Sequence, residues 1–126
     1  MNGKLVFLLL VSLVIPDRNI NYIRHEQVGF SITIAKNFLD TLNHCHVIFP
    51  NSVMYEAFPQ YNIPFANVSF STSVQPFTSC AIFFRNVGVE YSGTYELLST
   101  VLHSGDNNIS LTRQKFNVVV REVDFS

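Results

Sequence analysis

The sequence predicts a single all-β sandwich of seven to nine short strands, and three observations predict it. The chain holds 12 Phe and 5 Tyr but no Trp, and β-branched residues are equally plentiful, a composition that suits strands better than helices. Apolar side chains recur at every second position through most of its length. Pro, Gly, Asn and Ser interrupt that alternation at the short intervals of strand–turn–strand architecture. With 48 % apolar and 13 % charged residues in 126, the chain can fill one hydrophobic core and does not have the composition of a disordered segment.

The first element is read as a leader rather than a strand. Lys4 precedes the apolar run Leu5 to Ile15, and Pro16, Asp17 and Arg18 follow it. A basic start, a short apolar stretch and a polar exit read as a secretory signal peptide over residues 1–16, leaving a domain over 17–126. The alternative is a buried N-terminal strand or helix. The run is too short for a membrane-spanning helix, and no second long apolar run follows, so no membrane anchor is expected.

Strands are expected from there on. Val28 to Ala35 alternates Phe30, Ile32 and Ile34 against Gly29, Ser31 and Thr33. Residues 37–43 read as a loop, residues 45–49 as a strand stopped by Pro50-Asn51-Ser52, and residues 53–58 as a strand stopped by Pro59. Residues 59–66, with two prolines, read as irregular. Residues 67–74, 80–87, 94–102 and 110–123 complete the set, the last two joined by a hairpin over His103 to Asn108.

Chemistry-bearing motifs are sparse. The formal charge is −1 with no basic cluster, which leaves no electrostatic footprint for nucleic acid. There is no Gly-rich phosphate loop, no Gly-x-Ser-x-Gly elbow and no paired-acid constellation, so no enzyme, no cofactor and no small-molecule substrate is expected. His44-Cys45-His46 is the nearest approach to a site. On a strand, alternation sends both imidazoles to one face and the thiol to the other, and the sequence shows no third ligand beside the histidines. No metal site is expected there. His25 and His103 have no carboxylate, Ser or Cys at motif spacing.

The most specific stretch is residues 80–101. Ile82, Phe84 and Val87 alternate, and Ser92-Gly93-Thr94-Tyr95 follows where the pattern Asp-x-Gly-x-Tyr-x-Cys would stand. With Phe116, Val118 and Val120 alternating in the last strand, residues 26–123 resemble a variable-type (V-set) domain of the immunoglobulin superfamily. That resemblance implies a Greek-key β-sandwich in which Gly93 permits a tight corner and Tyr95 is a tyrosine corner, ring in the core and hydroxyl on backbone upstream.

The chain departs from the family at several positions. Tyr91 replaces the corner acid, Leu97 the second bridge cysteine, Ile34 or Ile32 the first, and Val47 or Phe49 stands near the usual Trp. Adhesion and invertebrate allorecognition receptors share such losses. Cys45 and Cys80 have the parity of core positions on the family's strands C and E, so they are either bridged between the sheets or two buried thiols.

The resemblance implies binding of a protein partner through the outer face of the G-F-C-C′ sheet. With Tyr95 inward, Leu97, Ser99 and Val101 are inward too, and the outer row is Glu96, Leu98, Thr100 and Leu102. His44, His46 and Ile48 join it from strand C, Tyr55 or its neighbours Met54 and Glu56 from strand C′, and Val119 from strand G. A register slip of one residue would exchange the two faces. The expected role is extracellular recognition or adhesion, homophilic by family habit; the alternative is a secreted decoy or immune-modulating protein that binds a cell-surface receptor. Sequons at Asn67-Val68-Ser69 and Asn108-Ile109-Ser110 fit a secreted glycoprotein, Asn108 the more so for its turn.

Overall fold

The computed structural model describes residues 10–60, 65–73 and 78–122. Eight strands are described: β1 (Leu10–Ile23), β2 (Val28–Ile34), β3 (Thr41–Ile48), β4 (Met54–Phe58), β5 (Val68–Ser73), β6 (Thr78–Phe84), β7 (Gly93–Leu102) and β8 (Ile109–Arg121). They form a five-stranded sheet in the order β1-β8-β7-β3-β4 and a three-stranded sheet in the order β2-β6-β5. All pairs are antiparallel except β1 with β8.

The core lies between the sheets and follows the alternation. β2 buries Phe30, Ile32 and Ile34, and β6 buries Cys80, Ile82 and Phe84. β7 buries Tyr95, Leu97, Ser99 and Val101 to 1 % exposure or less, while Leu98 and Leu102 stay half-exposed on the other side. The register is therefore the expected one, not its one-residue slip. Rings fill the centre: Phe30 stacks on Phe116 at 4.5 Å and meets Tyr95 edge-on at 5.6 Å, and Phe49 meets Tyr95 at 5.2 Å. Phe49 thus supplies the aromatic bulk where no Trp is present.

Cys45 of β3 and Cys80 of β6 form a disulfide between the two sheets, Cα atoms 6.3 Å apart. The two residues the alternation places in the core are bonded to each other.

The corner before β7 is built as expected. Gly93 has φ +140°, and a Cβ there would lie 2.6 Å from the Cβ of Pro50. The Tyr95 hydroxyl donates to the Tyr91 carbonyl oxygen at 2.7 Å. Tyr91 closes the 3-10 turn Val89–Tyr91 and packs its ring on Phe84 at 5.1 Å, taking an apolar part where the family carries an acid.

β1 runs beside β8 from the Leu10–Ile109 pair to the Ile23–Arg121 pair, with a register shift between Ile15 and Arg18. The shift falls where Pro16 has no N–H to offer a ladder. Ser12 to Pro16 are exposed or half-exposed, and Ile20 is the first described residue of the strand in the core. Residues 1–9, and with them the start of the expected leader, lie outside the described residues. Sequence alternation did not mark residues 17–23 as a strand. Their pairing is edge pairing to β8, which needs backbone rather than an apolar face.

Candidate functional site

The outer face of the five-stranded sheet is assembled by register. His46 of β3 stands opposite Leu98 of β7 on one side and Glu56 of β4 on the other; Leu98 in turn stands opposite Arg113 of β8. One row along, His44 faces Thr100, and Thr100 faces Leu111. The neighbouring rows hold Met54, Ile48, Glu96 and Lys115 on one side, and Thr41, Leu102 and Ile109 on the other. Directly opposed residues share a face, so these side chains form one surface. Arg113 donates to Glu96 at 3.0 Å across it. Val119 lies further along β8, 46 % exposed.

Seven of the eight expected residues are on this face: Glu96, Leu98, Thr100, Leu102, His44, His46 and Ile48. Tyr55 is not, and its placement is corrected. It pairs with the core residue Val47 and packs on Phe49 at 5.0 Å and Phe65 at 5.9 Å. Its neighbours Met54 and Glu56 take the outward positions, because strand parity fixes one or the other.

Two bulges frame the histidines. The β3–β7 register skips Asn43 between Leu42 and His44, and the β3–β4 register skips Ala57 opposite the Cys45–His46 step. Bulges re-aim side chains, and here they converge on one another. The His44 and His46 rings lie 5.4 Å apart and 18° from parallel, and His44 Nδ1 is 3.8 Å from Glu56 Oε1. Ser99, buried in the core, donates its hydroxyl to the His44 carbonyl oxygen and so fixes that backbone from behind. Burial first, then the neighbouring His44, depresses the His46 pKa below the ordinary imidazole value, while Glu56 pulls it the other way.

A second polar cluster closes the end of the sandwich. His103 Nδ1 lies 2.8 Å from Asp40 Oδ2, and His103 Nε2 lies 3.0 Å from Ser110 Oγ. Asp40 also accepts from the backbone N–H groups of Asn37 and Ser104. The sequence gives no hint of this, because Asp40 and His103 are 63 residues apart. The order of groups is that of a Ser-His-Asp relay, with Ser110 in β8 opposite Val101 of β7. The cluster works as a clasp that ties the β2–β3 loop to the β7–β8 hairpin.

The two sequons differ in access. Asn67 is exposed in the turn before β5, whereas Asn108 is half-buried with its amide donating to Asp106 at 2.8 Å.

No protein-family model matches the chain, and no curated protein matches it. Solved structures do. Murine CRIg superposes with a TM-score of 0.65 at 10 % identity, over 82 % of this chain and 92 % of that one. The fold is an immunoglobulin-like, V-set-like sandwich. The ZIG-8–RIG-5 IG1–IG1 heterodimer matches with a TM-score of 0.53 at 8 % identity, over 82 % of each chain. Titin domains Z1Z2 in complex with telethonin match at 0.55 and 12 % identity, over 85 % of this chain and 44 % of that one.

In immunoglobulin letters β2, β3, β4, β6, β7 and β8 are strands B, C, C′, E, F and G. The bridge position on F holds Leu97 and that on B holds Ile34 or Ile32, all three buried. Cys80 stands directly opposite Ile32, and Val47, two residues from Cys45, stands opposite Leu97. The inter-sheet bridge of this immunoglobulin-like domain is thus kept but moved one strand over in each sheet, from B–F to E–C.

Proposed function

We propose that this chain is an extracellular recognition domain that binds a protein, in the first instance a second copy of itself, through the outer G-F-C-C′ face. The observation that carries the proposal is the apolar row Leu98, Leu102, Ile109 and Leu111. These side chains lie on the solvent side of a sheet whose other side already faces a filled core. An apolar centre bordered by a Glu96–Arg113 ion pair and Lys115 has the anatomy of a protein-binding surface. The IG1–IG1 heterodimer among the similar structures illustrates domain-to-domain pairing on this fold.

Residues 1–16 act as the signal peptide in this reading, and a chain beginning at Asp17 keeps Ile20 and the rest of the described core. The disulfide fits an oxidising compartment, and Asn67 is the better-placed glycan acceptor.

The test couples residues 17–126 to fluorescent beads and scores clustering. Wild-type beads cluster, and Leu98→Asp and Leu102→Asp each disperse them while keeping the thermal melt. Dispersed wild-type beads would remove self-recognition and direct the search to a heterologous receptor.

A further inference from the structure

We infer that His44, His46 and Glu56 form a binding site for a divalent transition-metal ion, zinc first, on the outer face of the domain. One ligand atom from each of the three residues lies within 4.8 Å of the other two. Two imidazole nitrogens and a carboxylate oxygen are a donor set that suits zinc. With metal–ligand bonds of about 2.0–2.2 Å, a tetrahedral ion wants its donors roughly 3.3–3.5 Å apart. The cluster is therefore open by little more than an ångström at its widest, and the 3.8 Å between His44 Nδ1 and Glu56 Oε1 is already close to that spacing.

The second observation is where hydrogen bonding fails. Among the described residues, two buried side-chain polar atoms have no hydrogen-bond partner, His44 Nδ1 and Thr100 Oγ1. They belong to residues that face each other directly across β3 and β7. Buried polar atoms are seldom left unmatched, and two at one spot mark a place where a partner is missing from the protein itself. Glu56 Oε1, 3.8 Å from His44 Nδ1, is too far to be that partner. An ion between them would satisfy the nitrogen and draw in the carboxylate.

Backbone placement is rigid: the two register shifts flank the histidines, and the Ser99 hydroxyl holds the His44 carbonyl. Cys45 does not compete, since it points into the core and is bonded to Cys80. Three protein ligands leave at least one coordination position open on the exposed side. The site does not depend on the recognition reading above.

The experiment is isothermal titration of the disulfide-intact protein with ZnCl2, paired with thermal melts with and without the ion. Wild type is expected to take up one zinc per chain and to melt higher in its presence, as binding to the folded state requires. Glu56→Gln, which keeps the size of the side chain, should weaken binding at least tenfold. His46→Ala should abolish it. His25→Asn, on the far bend where Asn tolerates the positive φ of 76°, should bind as wild type does. Metal-free melts of each variant matching wild type exclude unfolding as the cause. Absence of zinc uptake by wild type at millimolar concentration would overturn the site. So would uptake unchanged in Glu56→Gln and His46→Ala.

Discussion

Cys45 and Cys80 join the two sheets one strand away from Ile32 and Leu97, a buried pair on strands B and F. The bridge closes a loop spanning 35 residues, including β4 and β5. Crosslinks of this kind stabilise by roughly 2–4 kcal/mol, mainly by restricting the unfolded chain. The double variant Cys45→Ala/Cys80→Ala should lose about that much in urea titration, and reduction of wild type with dithiothreitol should shift its midpoint the same way.

Removing the Tyr95 hydroxyl leaves the Tyr91 carbonyl without the bond now made at 2.7 Å. Tyr95→Phe should cost about 1–2 kcal/mol with little change in fold. Burial, reinforced by Tyr91 and Glu90, pushes the Tyr95 phenol well above the usual tyrosine range. A folded pKa above the unfolded one means stability that is complete below about pH 10 and lost as pH rises beyond it. Wild type should therefore lose stability above about pH 10 more steeply than Tyr95→Phe, as read from denaturant midpoints between pH 8 and 11.

Gly93→Ala meets two obstacles at once, a φ of +140° and a Cβ 2.6 Å from Pro50. The backbone strain alone is worth about 1–3 kcal/mol. The variant should melt markedly lower than wild type, whereas Gly105→Ala, which has open space around its Cβ, should change little.

Asp40 contributes to the acid side of the stability profile. Burial alone would raise its pKa, but the Ser104 and Asn37 N–H groups and the His103 ring outweigh it and hold the carboxyl below its ordinary range. A depressed folded pKa gives stability that is present above about pH 4 and lost as pH falls below it. Melting curves from pH 6 to pH 3 should drop more steeply for wild type than for Asp40→Asn. The variant should already be the less stable of the two at pH 7.

Much of the outer face was legible because alternation is local. One anchored residue, Tyr95, orients every other residue of β7, and the same parity carries through β3 from Cys45. Tyr55 was misplaced because nothing in a five-residue strand ties its parity to β3. The core ring of Phe49, the half-buried ring of Phe65 and the pairing with Val47 settle it. Glu56 was not recognised as a neighbour of His44 and His46 for the same reason, since its position follows from the register of β4 on β3.

By itself the sequence determined an all-β sandwich, the approximate strand positions from Val28 onward and the corner at Gly93 and Tyr95; residues 41–43, read as a loop, belong to β3, and the strand read over 80–87 is β6, Thr78–Phe84. What the sequence determined is set by short-range rules: a period of two, residues that tolerate a turn, and the φ that only glycine takes easily. The tertiary structure decided that Cys45 meets Cys80, that Asp40 clasps His103, and that Glu56 stands beside two histidines. Those meetings depend on strand order, on pairing register and on two bulges, which are properties of the assembled sheets and leave no mark at fixed spacing along the chain.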